Sequence, residues 1–467
     1  KITDRQFQVK GKIISLNLEH EKLENLKKFF PTYNSKFILK DTDLSFDDSN
    51  NFKLSGLIKF DKKFENFKLN YSGIKDENFR VDGKINLYDL SLNLPSLNYI
   101  KEKNADAKVD FNINISKLGY DIERLLYSSE KSTIELDKIK LNKKFEINDI
   151  KNIKVKTFAN NLKNNDFHIG KHKTLKNTIF ILGKLFDLEP FLKSLYKTND
   201  DKKMLSKSFN SDIKVNLDKT ITGTNDDVSN FSMIASIKKG AYSKLSLKGN
   251  FNENEIIEMS IYQVDKNKKT LQVISDRARP FIKNFDFIKG FEGGKLEYES
   301  TITKNVTNSN LLITNFKVSK VPALAQLLTL ASLQGIADTL SGEGIRFESF
   351  EMKTNSKENV LNIEDALALG PAVSILLEGY VDKGKTVSLR GTLVPATKLN
   401  SIIASIPVVG DILVGKKTGE GVVGVSFKMK GPPKDIKTTV NPIKTLTPRF
   451  IVRAIEKRKK KKKEEAK

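Results

Sequence analysis

Apolar and polar residues alternate along most of this chain, and the alternation predicts strands. Phe52, Leu54, Ile58 and Phe60 share one parity, while Lys53, Ser55 and Lys59 take the other. Phe67, Leu69 and Tyr71 repeat the pattern, as do Phe79, Val81, Ile85 and Leu87. The cleanest run is Ala107, Val109, Phe111, Ile113 and Ile115, with Lys, Asp and Asn between them. A period of two places every apolar side chain on one face of a sheet and leaves the other face in water. Connections as short as Asp61-Lys62-Lys63 suit hairpins, so an antiparallel meander is expected. Alternation returns at Ile213, Val215 and Leu217, at Leu245 and Leu247, and at Met259 and Ile261.

Helical spacing interrupts the strands in a few places. Leu23, Leu26, Phe29 and Phe30 predict a short helix stopped by Pro31. Residues 119–132 and 183–198 read as further helical interruptions, with a polar linker at Thr198 to Lys203. Phe281 to Phe291 reads as an aromatic helix or turn closed by Gly293-Gly294. Near the C-terminal end one unit is written twice. Val321-Pro322 opens an apolar run that ends at Gly342-Glu343-Gly344 and is followed by Phe350-Glu351-Met352-Lys353. Val394-Pro395 opens a second, which ends at Gly419-Glu420-Gly421 and is followed by Phe427-Lys428-Met429-Lys430. Pro322 suits a first helical turn and Gly342 a left-handed stop. The broad apolar faces of these helices, 322–340 and 399–414, are expected to cap the sheet or meet a membrane. Leu324, Leu327, Leu328, Ile402 and Ile403 are the candidate contacts.

Composition narrows the function classes. Of 467 residues, 38% are hydrophobic and 30% charged, which fits a thin or elongated sheet with much surface relative to core. The absence of Cys excludes disulfides, thiolate metal sites and Cys nucleophiles, and does not choose a compartment. The net charge of +24 rests on Lys interleaved with Asp, Glu and Asn, whereas Arg, the residue of bidentate phosphate and guanine contacts, is scarce. A nucleic-acid partner is therefore not expected. No apolar run reaches the roughly 20 residues of a membrane-spanning helix. Leu446, Phe450, Ile451, Ala454 and Ile455 form an amphipathic stretch running into the basic Lys457 to Lys463, which suits either an anionic bilayer surface or a solvated end.

The motifs of catalysis fail on context. Gly410 to Lys417 has P-loop spacing, but Lys417 stands where a magnesium-binding Ser or Thr belongs. Gly419 to Gly424 matches G-x-G-x-x-G, but it leads into an alternating strand where a dinucleotide site needs a helix. His168 and His172 flank Gly170 in a stretch that reads as loop, and neither they nor His20 imply a ligand set. No nucleophile elbow is present. No catalytic residue, metal or cofactor is expected.

The order of several short motifs resembles the AsmA-like family, in its YhdP-like branch. Gly391-Thr-Leu-Val-Pro395, Ile406-Pro407 with Gly410, Gly419-Glu420-Gly421, Gly431-Pro432 and Val440-Asn441-Pro442 look like its closing signature. Phe186-Asp187-Leu188, Ile274-Ser275-Asp276 and Gly293-Gly294-Lys295-Leu296 look like its central domain. The resemblance implies a periplasmic envelope protein, anchored in the inner membrane by an N-terminal helix this chain lacks. It further implies a taco-like antiparallel sheet whose apolar groove conducts phospholipids between inner and outer membranes. On this reading residues 1–200 and 201–309 are groove segments, 310–445 the C-terminal region with the doubled unit, and 446–467 an amphipathic helix and basic tail. Phe52, Leu54, Val109, Phe111, Ile113 and Ile115 would line the groove, with phospholipid, the two membranes and envelope proteins as partners. The alternating residues alone fit a second architecture equally well, in which two apolar walls fill each other as a closed, ligand-free sandwich of a structural envelope protein.

Overall fold

A computed structural model describes residues 8–19, 24–48, 51–74, 78–175, 177–196, 205–283, 290–303, 305–382, 385–395, 424–432 and 435–443. The protein is mainly β, with 69% of the described residues in strands and 8% helical, and divides into two compact units, Lys1–Asn252 and Glu253–Lys467.

The first unit opens with β1 (Gln8–Glu19), α1 (Glu24–Phe29), β2 (Lys36–Asp47), β3 (Asn51–Lys59), β4 (Glu65–Ile74) and β5 (Asn78–Asn86). A small hairpin follows, β6 (Leu92–Leu94) and β7 (Tyr99–Lys101), joined by the 3-10 turn Pro95–Leu97. The main sheet resumes with β8 (Ala107–Ser116), β9 (Gly119–Ser129), β10 (Thr133–Asn142), β11 (Ile147–Ala159), β12 (Leu162–Lys171) and β13 (Thr178–Asp187). Then come α2 (Glu189–Tyr196), β14 (Ser211–Ile221), β15 (Val228–Lys238) and β16 (Ala241–Asn250). Each main strand pairs antiparallel with the next, with one exception: β13 and β14 run parallel. The sheet is therefore mixed, because after α2 the chain returns to the end of the sheet where β13 began before it enters β14.

The second unit holds β17 (Ile256–Asp265), β18 (Lys268–Ser275), α3 (Arg279–Ile282), β19 (Gly290–Ile302), β20 (Val306–Ser319), α4 (Pro322–Leu330) and α5 (Gln334–Ser341). It continues with β21 (Ile345–Lys357), β22 (Val360–Leu369), β23 (Val373–Asp382), β24 (Thr386–Pro395), β25 (Gly424–Gly431) and β26 (Lys437–Ile443). Its ten strands pair in chain order, all antiparallel.

Several local expectations change. Residues 119–132, expected as helix, are strand β9 and its turn, and the 183–198 stretch begins as strand β13 before α2. The cause in β9 is a bulge. Asn112 pairs with Arg124 but Ile113 with Ile122, so the apolar parity switches from Tyr120 and Ile122 to Leu125 and Tyr127. Spacings of two, three and two imitate a helical stripe. His168 lies within strand β12, where the sequence reads as loop. Gly342 is not left-handed (φ −96°); Gly344, at φ 92°, carries that conformation. The 322–340 run is two helices, and short helices also occur well before the C-terminal region.

Candidate functional site

Pairing strands in register converts alternation along each strand into rows across the sheet. In the first unit one row begins Leu44, Leu54, Leu69, Gly83, Phe111, Leu125, from β2 to β9, every neighbour a direct partner. It continues Leu136, Ile153, Ile169, Ile181, Val215, Met233, Leu247, from β10 to β16. Thirteen strands contribute, and none places a polar side chain in the row. At about 4.8 Å per strand the row is a path of roughly 58 Å. Its glycine is a packing requirement: a Cβ on Gly83 would lie 2.6 Å from the Lys68 carbonyl and 3.1 Å from the Phe111 ring.

Three more rows flank it on the same face. Phe52, Tyr71, Val81, Ile113, Ile122, Ile139 and Ile150 form one. Next to it, towards the β8–β9 turn, lies the row Phe79, Ile115, Tyr120, Leu141 and Ile147. On the other side of the long row run Phe67, Ile85, Val109, Tyr127, Ile134, Val155 and Phe167. All six groove candidates thus share one face: Phe52 with Ile113, Leu54 with Phe111, and Val109 and Ile115 in the outer rows. All six are half-buried, as are Leu69, Leu125, Leu136, Ile153, Ile169 and Ile181. Burial is deepest in the row of Phe67, where Tyr127, Ile134, Val155 and Phe167 are at most 7% exposed.

Opposite this face the partners are polar. Asn70 donates to Asp82 (2.7 Å), Asn152 to Asp137 (2.6 Å), Lys84 pairs with Asp110 (3.1 Å), and His168 bonds Asn152. These cross-strand bonds leave the second face wet, which is what one-sided alternation requires.

The buried row is covered by a strap, residues 87–106, that runs from the end of β5 along the strand ends to β13. Tyr99 meets Tyr127 edge-on (5.9 Å between centroids), and their hydroxyls bond at 2.7 Å. The strap is fixed by buried polar groups. Asn165 donates to the Leu97 carbonyl (2.8 Å) and to Thr157 (3.0 Å), and its oxygen accepts the Asp187 backbone N–H (2.9 Å). Asn164 donates to the carbonyls of Leu97 and Asn98, and Asn98 donates to Asp187 at 2.9 Å. Burial raises the Asp187 carboxyl above its ordinary range, against the bonds from Asn98, the Glu189 N–H and Asn164. At the other end Asp89 accepts the backbone N–H groups of Asp61, Lys62 and Lys63 (2.7–3.0 Å). Lys101, 4% exposed, donates to the carbonyls of Leu87, Tyr88 and Leu90. Burial lowers its pKa to about 8, with Glu65, Asp106 and Asp89 pulling the other way.

The second unit repeats the design with other materials. Its row Met259, Val273, Tyr298, Leu311, Met352, Ala366 runs on through Leu377, Gly391, Phe427 and Val440, one residue from each of ten strands. The cover is helical. Leu327, Leu328, Ala337 and Leu340 of α4 and α5 are buried, and α5 packs beside β20 and β21. Phe291, Phe316 and Phe347 stack in sequence at 5.4 Å. Of the candidate membrane residues, Leu327 and Leu328 therefore face their own protein, Leu324 is half-buried, and Ile402 and Ile403 lie outside the described residues.

Within the second unit the stretches Ile274-Ser275-Asp276 and Gly293-Gly294-Lys295 meet. Asp276 accepts Lys295 (2.9 Å) and the Ile256 N–H (2.9 Å), which hold its carboxyl below the usual range, and Ala278 N–H donates to the Gly294 carbonyl. Asp187 does the equivalent work for the strap. Sequence reasoning missed the strap and its anchors, since Asn164 and Asn165 stand more than 60 residues from their carbonyl partners. Among the described residues no His or acidic cluster could hold a metal, and no helix is long and apolar enough to cross a membrane. The rejected P-loop-like spacing and most of the G-x-G-x-x-G stretch lie outside the described residues; Gly424 opens strand β25. No family model, curated protein or solved structure matches the chain.

Proposed function

We propose that this protein is a non-enzymatic carrier that shields phospholipid acyl chains on its apolar face, in a groove, and conducts them between the inner and outer membranes of a cell envelope. The observation that carries the reading is the unbroken thirteen-strand row, most of it half-buried. A row that merely filled a core would be sealed along its length, whereas Leu54 to Ile181 keep access to solvent. The motif order shared with AsmA-like proteins supports the envelope setting and an inner-membrane anchor. The work is passive shielding, and no side chain is assigned a chemical step.

A second reading has its own support at one place. In β22 the adjacent Ala366 and Leu367 are each 1% exposed, and in β24 Leu393 and Val394 are both fully buried. Neighbours on a strand point to opposite faces, so this part of the second unit is covered on both. Closed layers of a structural envelope protein would look like this throughout.

The test is mass spectrometry of lipid co-purified with the full chain, together with uptake of a fluorescent acyl probe by wild type and Ile113→Asp. Co-purified phospholipid and at least tenfold weaker uptake by the folded variant are expected, since a buried charge without a partner opposes an apolar guest. A lipid-free protein that takes up no probe leaves the closed-layer reading standing.

A further inference from the structure

From β8 to β16 the two edges of the first sheet differ in charge, whereas the β2–β3 turn, on the same side as the β8–β9 turn, carries Asp47 and Asp48. Strands β8 to β16 are joined on one edge by the turns 116–119, 142–146, 171–177, 206–210 and 238–241. Among the described residues of these turns Glu146 is the only acid, and it is bonded to Asn142. Lys143, Lys144, Lys173, Lys207, Lys238 and Lys239 are exposed there, and none of them makes a salt bridge. The opposite edge, where the strap lies, is mixed: it carries Glu102, Asp106, Glu130, Glu189 and Asp227 at the surface, together with Lys103 and Lys131. Between these strands the lysines therefore outnumber the acids on one edge only.

Apolar depth lies directly behind the lysine edge. Ile115, Tyr120, Leu141 and Ile147 form the row next to these turns and are half-buried; the long row, four residues further in, is half-buried too from Phe111 to Ile181. The strap-covered row is six residues from the first, or roughly 20 Å. One leaflet of a bilayer's hydrocarbon core is about 15 Å deep. An acyl chain laid along the strands from the lysine edge would therefore end short of the covered row, with its polar head among the lysines.

We propose that the lysine edge of the first unit recognises the phosphate-bearing, net-anionic headgroup of the lipid whose chains occupy the adjacent rows. The proposal rests on the carrier reading and adds headgroup selection to it. Lysines are suited to this, as mobile point charges that attract phosphate without fixing one geometry, and such attraction screens with salt. Selection by charge leaves the acyl chains free to vary.

The test uses the full chain and two fluorescent phospholipid probes with identical chains, a phosphatidylglycerol and a phosphatidylcholine, delivered as monomers from cyclodextrin. Wild type should bind the phosphatidylglycerol about tenfold more tightly at low salt, and the preference should vanish at high salt. Changing the six named lysines to Gln should abolish the preference and leave phosphatidylcholine binding unchanged. A control with Lys12, Lys53, Lys68, Lys108, Lys156 and Lys214 changed to Gln should keep the preference at equal net charge. Equal binding of both probes by wild type overturns headgroup selection and leaves the carrier reading intact, whereas binding of neither probe overturns both. A six-lysine variant that keeps probe preference but no longer sediments with phosphatidylglycerol vesicles overturns it in favour of a membrane-docking edge.

Discussion

The two units solve one problem with different materials. Each has an apolar face with a deeply buried edge row under a cover and further rows that are partly accessible. In the first unit the cover is an irregular strap tied down by Asn98, Asn164, Asn165, Asp187, Asp89 and Lys101. In the second it is a helical pair seated on Leu327, Leu328, Ala337 and Leu340, beside a column of stacked phenylalanines. Hydrogen bonds are directional and fix one position for the strap, while aliphatic packing is worth more per residue and tolerates small shifts. The first unit's cover is therefore positioned, and the second's is glued.

The largest expected effect tests the glue. Leu328→Ala, at a side chain with no exposed surface, should cost about 3–4 kcal/mol through lost burial and a residual cavity. Hydrogen exchange should show the loss in α4 and α5 while the strap keeps its protection. Asn165→Ala should cost somewhat less, about 2–3 kcal/mol, because it leaves the buried Asp187 N–H without its partner and takes one bond each from the Leu97 carbonyl and Thr157, which keep only Asn164. Here the strap should lose protection first and the helical pair should not. If either change loosened both covers equally, the contrast between the units would be gone.

The smallest effect is a pH dependence belonging to the first unit alone. Lys101 titrates near 8 when folded and near its ordinary value of 10.5 when unfolded. Between those values the unfolded chain holds the extra proton, so stability rises with pH across the window and the burial cost is fully present below 8. From pH 7.5 to 9.5 the first unit should gain up to about 2 kcal/mol, and Lys101→Met should abolish the gain in thermal unfolding measured at the two pH values.

Much of the sheet was legible because alternation is a local signal. The parity of Val109, Phe111, Ile113 and Ile115 alone places them on one face, and the register then aligns them with Ile85, Gly83, Val81 and Phe79. Legibility failed where a single residue changed the parity, as at the β9 bulge, and where the chain crossed the sheet to make β13 and β14 parallel. The strap was invisible for a different reason. Its anchors are single polar residues distant in sequence, and an Asn that ties two loops together looks like any other Asn until the fold brings its partners near. The lysine edge was hidden in the same way: each turn holds one to three lysines, and only the sheet gathers them.

The long row also bears on rates. Because every strand of the row but β5, which supplies Gly83, offers Leu, Ile, Val, Met or Phe at the same height, a guest of the proposed carrier would exchange one apolar contact for a similar one about every 4.8 Å. The energy surface it crosses is a shallow ripple with no deep well. An unbroken row of similar side chains thus favours fast one-dimensional diffusion over long residence, and a polar substitution at any single strand would act as a speed bump for the whole path.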